Sequence, residues 1–225
     1  MAISTYAQLK TACANWLHRV DLTDRIPEFI AEGLERTNHE LLARGGLPNQ
    51  EQVATASTVA DQESLAVPSD YAMLRWIRVD EDSTGAVEPL EPVDYDTLLH
   101  YYGTNTGRPE RFAVIDESFY FRPIPDAVYT VRIGYIKRYT AFSSDSDTNY
   151  LLTHGGNVLL HAALISAEGF LIDDARVDKW KSDYAEGLER LWLSARKSRL
   201  HRPQEMTLEP FLCGGGGGAS ILTDF

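Results

Sequence analysis

Cysteine is almost missing from this chain. Cys13 and Cys213 are the two in 225 residues, and they lie at opposite ends. That excludes a disulfide-stapled scaffold and makes reduced thiols the expectation. Long apolar runs are missing as well. No stretch has the roughly 20 apolar residues of a membrane-spanning helix, and no secretory signal pattern is present, so no membrane partner is expected. Basic charge is scarce: 21 Lys and Arg stand against 33 Asp and Glu, a formal net charge of −12. Such a balance opposes a sequence-independent grip on nucleic acid, which needs phosphate neutralisation by Lys and Arg. It does not oppose a surface past which DNA slides without sticking.

Catalytic signatures are lacking too. His154 and His161 are seven apart and share a helix face, but helical metal sites want closer spacing plus a carboxylate. The acidic groups Asp173-Asp174 and Asp80-Glu81-Asp82 read as helix caps and a solvated turn rather than as an acid–base pair. The glycine run 214–218 is no phosphate loop, because no Lys-Ser/Thr follows and no strand precedes it. Trp and Tyr side chains are not interleaved with basic residues, so they read as core and interface rather than as a base-stacking platform. No catalytic residue, cofactor site or metal site is expected, and the protein reads as a non-enzyme.

What is present is an apolar fraction of 44%, enough for a sizeable core, and one organising stretch, residues 149–202, which reads as a helical hairpin. Its first arm, Val158-Leu159-Leu160-His161-Ala162-Ala163-Leu164-Ile165, is apolar nearly all the way round and belongs inside a core or a subunit interface. Val158, Leu159, Leu160, Leu164, Ile165, Phe170, Leu171 and Ile172 would gain roughly 12–24 kcal/mol gross if fully buried. Ordering the chain offsets much of that, at ~1–2 kcal/mol per residue. Ala162, Ala163, Ser166, Ala167 and Gly169 are small and let a neighbouring helix approach. Asp173 or Asp174 would cap the second arm. That arm carries Val177, Trp180, Tyr184, Leu188, Leu191 and Ala195 at steps of three and four, one face of a helix, widened by Trp192. Arg196, Lys197, Arg199 and Arg202 cluster at its end before Pro203. Leu159, Leu160, Leu164, Ile165, Trp180 and Leu188 are the candidates for core or interface.

Two more helices are expected near the start. One begins at Thr5, where Thr5 and Gln8 fit a capping box, and continues through Leu9, Ala12, Cys13, Trp16, Leu17 and Val20. The other begins between Asp24 and Pro27, runs to Leu41 and stops at Gly45-Gly46. The middle changes period. Residues 51–60 are rich in Val, Thr and Ser, residues 64–67 are a short segment closed by Pro68-Ser69-Asp70, and residues 74–79 alternate Trp76 and Arg78 against Arg75, Ile77 and Val79. Residues 95–102 read as a short helix between Asp94 and Gly103. Residues 111–115 and 119–122 read as two strands joined by a turn at Asp116-Glu117, and 129–139 as a third. The expected fold is α+β: a helical core of about four helices from both chain ends, with an inserted antiparallel β subdomain. The expected organisation is one domain over 1–202, helical in 1–50 and 149–202 and β in 51–140. Residues 203–225 are expected to form a flexible extended tail. That tail has little periodicity before its five glycines, yet it closes with Ile221, Leu222 and Phe225, an apolar tip that makes sense if it docks.

The chain resembles the head-to-tail adaptor (connector) family of tailed bacteriophages. The residues that carry the resemblance are Val67-Pro68-Ser69-Asp70-Tyr71 with Arg75-Trp76-Ile77-Arg78-Val79; Thr106-Gly107-Arg108-Pro109 with Phe112-Ala113-Val114; Phe121-Arg122-Pro123-Ile124-Pro125-Asp126 with Tyr129-Thr130-Val131; and Thr148-Asn149-Tyr150-Leu151-Leu152-Thr153. They occur in the family's order over roughly residues 3–200. The resemblance implies a structural virion protein at the head–tail junction, assembled in the host cytoplasm as a ring of twelve copies. It implies a portal protein on one side, a tail nozzle or tail protein on the other, and DNA passing through the lumen without specific binding. On that reading Phe211, Ile221, Leu222 and Phe225 are the portal-binding candidates. The alternatives are a peptidoglycan hydrolase of the phage tail using two carboxylates, and a DNA-binding protein.

Overall fold

The computed structural model describes residues 3–19, 21–80, 87–171 and 175–199. Among these, five α-helices and ten strands appear: α1 Tyr6–Leu17, α2 Ile26–Ala43, β1 Glu51–Ser57, β2 Ser64–Ala66, β3 Tyr71–Asp80, β4 Val87–Pro89, β5 Glu91–Pro92, α3 Tyr95–Tyr102, β6 Thr106–Gly107, β7 Arg111–Ile115, β8 Ser118–Arg122, β9 Ile124–Pro125, β10 Thr130–Lys137, α4 Tyr150–Ser166 and α5 Arg176–Arg199. The fold is α+β: α1, α2, α4 and α5 pack on one another around a helical core, and the strands between α2 and α4 form a separate β layer with its own core.

The start of α1 shows how local chemistry sets an element. Thr5 Oγ1 accepts from Gln8 N–H at 3.4 Å. The Gln8 side chain does not return to Thr5 as a capping box would; its carbonyl oxygen accepts from Ser4 N–H at 2.8 Å. Two further orphan donors of the first turn go to the polar linker: Tyr6 N–H to Asp147 O at 3.0 Å and Ala7 N–H to Asp145 O at 3.1 Å. Leu9, Cys13 and Leu17 are buried, but Trp16, expected in the same stripe, is 45% exposed. Val20 lies outside the described residues, as do Ile172 and the capping candidates Asp173 and Asp174.

α4 is the centre of the helical layer and touches α1, α2 and α5. Asn149 caps it, its side-chain oxygen accepting from Leu152 N–H at 2.9 Å. Gly155 breaks the helix with φ −141° and ψ 34°. The crossing with α2 is close because Gly33 faces Ala162 and Ala163; a Cβ at Gly33 would lie 2.7 Å from the Ala163 nitrogen. Two of the hairpin's large side chains depart from the expected burial. Phe170 is 42% exposed, lying against Phe29 and under the Arg25 guanidinium, and Leu171 is only partly buried.

The inserted region is not the one antiparallel sheet expected. It forms two four-stranded sheets, ordered β1-β10-β3-β4 and β2-β8-β7-β5, plus the pair β6-β9. β5–β7 and β6–β9 are parallel. β7 and β8 form the expected hairpin, and Asp116 and Glu117 both take positive φ, 47° and 54°, as a two-residue primed turn requires. β10 belongs to the other sheet. Along β3 the alternation slips: Gly134 pairs with Trp76 and Tyr135 with Leu74, so Arg75 bulges out. Leu74 then packs on the same side as Ile77 and Val79, while Arg75 is exposed. The Trp76 ring lies over Gly134, where a Cβ would sit 2.3 Å from it.

Buried polar side chains lie at the seam between helices and sheets. Asn38 of α2 donates through Nδ2 to Tyr139 O (2.9 Å) and accepts from Tyr139 N–H (3.1 Å). Tyr139 donates its hydroxyl to Asn49 Oδ1 at 3.0 Å, and Gln50 donates Nε2 to Lys137 O at 3.1 Å.

Candidate interaction surfaces

The core candidates Leu159, Leu160, Leu164, Ile165, Trp180 and Leu188 are all buried within one chain, between 0% and 4% exposed. The apolar girdle of α4 is therefore covered by the chain's own helices. The portal-binding candidates Phe211, Ile221, Leu222 and Phe225 lie outside the described residues, as do Cys213, Glu81, Asp82 and Arg202.

The polar residues singled out by sequence do not converge. Among the described residues no group of three His, Cys, Asp or Glu is placed to hold a metal ion. His154 stacks on Tyr150 at 4.1 Å between ring centroids, with Nδ1 3.2 Å from the Tyr150 carbonyl. His161 meets Trp16 edge-on at 5.7 Å, and burial lowers its pKa below the ordinary imidazole value. The break at Gly155 separates the two histidines. Burial pushes the Cys13 thiol up to about 12, so it is an unreactive core side chain.

Four surface hollows stand out among the described residues; one, about 470 Å³, lies beside the Gly155 break between Ile3, His154, Gly156, Gly187 and Leu191. The largest, about 610 Å³, lies along the seam beside Asp70, Tyr139, Asp147 and Tyr150. Several of its polar groups are bonded within the chain. The N–H groups of Ser144 and Ser143 donate to the Asp147 carboxylate and hold its pKa below the usual range, and the Tyr135 hydroxyl donates to Asp70 at 2.7 Å.

A third hollow, about 330 Å³, lies at the C-terminal end of α5 between Arg44, Pro48, Arg75, Trp192 and Arg196. Its charges are largely balanced. Arg44 pairs with Glu189 at 3.0 Å, and Arg75 pairs with Glu51 at 3.5 Å while donating to Gly45 O at 2.6 Å. The Arg196 guanidinium stands 5.1 Å over the Trp192 ring. The fourth, about 270 Å³, is a groove on the outer side of the first sheet over Val53, Trp76 and Gly134, with Arg75 as a shared wall. Sequence reasoning missed Arg75, because its outward turn depends on the bulge against β10. It also missed the free side of β1, whose edge position follows from topology alone.

These surfaces are open, partly apolar and bordered by paired charges. No helix among the described residues is long and apolar enough to cross a membrane. Comparison with known proteins adds one match. A family model described as SU10 adaptor protein fits residues 4–207, spanning both helical parts and the sheets between them. No curated protein matches the chain.

Proposed function

Because the chain belongs to the SU10 adaptor protein family, we propose that this structural adaptor is the head-to-tail adaptor of a tailed phage. In this reading it joins the portal to the tail as a ring, with twelve copies as the working number, and lines part of the channel through which DNA leaves. The observation that carries the reading is the family match over 4–207, which takes in the helical core and the inserted sheets together. Residues 1–202 act as one adaptor domain and 203–225 as a tethered tail. The helix pair α4–α5 forms the inner layer of the ring, and cohesion between subunits comes from surfaces outside the sealed α4 girdle.

The tail supplies the portal contact through Phe211, Ile221, Leu222 and Phe225. Five glycines span at most ~17 Å extended, and four apolar anchors supply roughly 6–12 kcal/mol gross if fully buried. Repeating the contact around a ring adds avidity. The net charge of −12 per subunit accumulates around the lumen and repels phosphates over about a Debye length, ~8 Å at physiological salt.

The test is the symmetry of particles formed by the purified protein with its portal, measured for the full chain and for a chain ending at Arg202. A ring on the portal that requires residues beyond Arg202 supports the reading. Equal attachment by the shortened chain removes the tail from it, and a channel lined by Lys and Arg removes the acidic lumen. A zymogram on cell-wall substrate, with activity lost on a single Asp or Glu substitution, would instead favour the peptidoglycan hydrolase.

A further inference from the structure

β1 is the outer strand of its sheet, paired with β10 over its whole length without a register shift. Just past its end, Thr58 N–H donates to Tyr129 O at 2.9 Å. Hydrogen-bonded pairs alternate along an antiparallel ladder, so Ala56, Ala54 and Gln52 face β10. The N–H and C=O groups of Val53, Thr55 and Ser57 point the other way. No hydrogen bond from the described residues reaches those groups.

Natural sheets blunt such edges with short strands, Pro, Lys or bulges. The other edges of the two large sheets do this: β4 has three residues and ends at Pro89, β5 has two including Pro92, and β2 has three. β1 has seven, Glu-Gln-Val-Ala-Thr-Ala-Ser, with neither Lys nor Pro. Beside it Val53 is 58% exposed over the groove it shares with Trp76.

The position of the chain's exit identifies the occupant. Arg75 walls both this groove and the cleft that holds Arg196, and α5 ends at Arg199. The four residues 200–203 reach roughly 13–14 Å when extended. Next comes Gln204-Glu205-Met206-Thr207-Leu208-Glu209, a six-residue segment between Pro203 and Pro210. Met206 and Leu208 share one side of an extended strand, and the flanking prolines fall where a strand tolerates them.

We propose that residues 204–209 add to the free edge of β1 in the same chain as a further strand, seating Met206 or Leu208 in the groove over Val53 and Trp76. The anchors beyond the glycines stay free for a partner, so this inference does not depend on the portal reading.

Hydrogen exchange on the full chain and on the full-length chain carrying Met206→Pro together with Thr207→Pro tests the proposal, because one of two successive N–H groups must face β1. The Val53, Thr55 and Ser57 amides should exchange at least tenfold faster in the variant, with α4 amides unchanged. Equal rates overturn it, since any protection would then come from another occupant. Met206→Cys, on the same face as Val53, Thr55 and Ser57, combined in turn with Val53→Cys, Thr55→Cys and Ser57→Cys in a Cys213→Ser background, scans the register. Chains of light and heavy isotope are mixed, mildly oxidised and analysed by mass spectrometry. Disulfides within one isotopic type support the proposal. Light–heavy disulfides assign the edge to a neighbouring copy, and no disulfide in any pairing leaves the edge unoccupied; either result overturns it.

Discussion

In the helical layer, α4 is enclosed by α1, α2 and α5, and what it buries is apolar or small. In the sheet layer a guanidinium, Arg122, is 3% exposed, almost as deep as Phe119 and Phe121. Arg122 donates to Gly103 O at 3.0 Å, to Phe121 O at 2.9 Å and to Glu63 at 2.5 Å. It thereby ties the end of α3 and the approach to β2 onto β8. The helices are held by burial, which has no direction; the sheets, with a smaller apolar cluster, add directed bonds that fix how the strands and α3 are placed.

Changes on either side should separate the two kinds of cohesion. The largest effect is expected from Leu164→Asp. Leu164 is 0% exposed at the centre of the helical layer, and an unpaired carboxylate there should cost more than about 4–5 kcal/mol, comparable to a domain's whole stability. Loss of the cooperative thermal transition by circular dichroism is the expected result. A variant that melts like the parent would mean α4 is not enclosed.

Arg122→Met should cost about 2–4 kcal/mol by stranding two carbonyls and Glu63. Hydrogen exchange should then speed up in α3, β2 and β8 while α4 keeps its protection. If both layers loosen equally, the two are one cooperative unit and the contrast between them disappears.

Asn38→Leu removes both bonds to Tyr139 and should cost about 2 kcal/mol. Its signature is faster exchange at the Tyr139 amide, with core amides of α4 and β8 little changed.

The smallest effect is expected at His161. Burial lowers its pKa in the folded protein, so the unfolded chain binds the extra proton first as pH falls. The stability contributed by the neutral ring is full above about 6.5 and declines as pH drops through the folded pKa. Denaturation midpoints between pH 7.5 and 5.5 should show this slope, and His161→Phe should flatten it.

The helices are legible because one period repeats over many residues: Val177, Trp180, Tyr184, Leu188, Leu191 and Ala195 form a stripe at helical spacing, and all are buried. The β7–β8 hairpin was readable because its turn and pairing are local. The division into two sheets was not, since β10 follows β8 and β9 in the chain yet pairs with β1 and β3. Nor was the burial of Arg122, which depends on acceptors at Gly103 and Glu63, distant in sequence. The helical spacing places Trp16 on the buried stripe of α1, but the residues of α1 taken inside are Tyr6, Leu9, Cys13 and Leu17. Of the interaction surfaces, the free edge of β1 depends on which strands fail to pair with it, and no local pattern encodes that.

The Asn38–Tyr139 pair has a mechanical consequence. Apolar surfaces can slide over one another at small cost, because burial is nearly the same at each offset. An amide locked to both the N–H and the C=O of one residue has a single register, and a displacement of an ångström or so breaks both bonds at once. A load along the seam is therefore met by stiffness rather than creep. A push on the sheets is delivered to α2, and across the Gly33 crossing to α4, as the turning of one rigid lever.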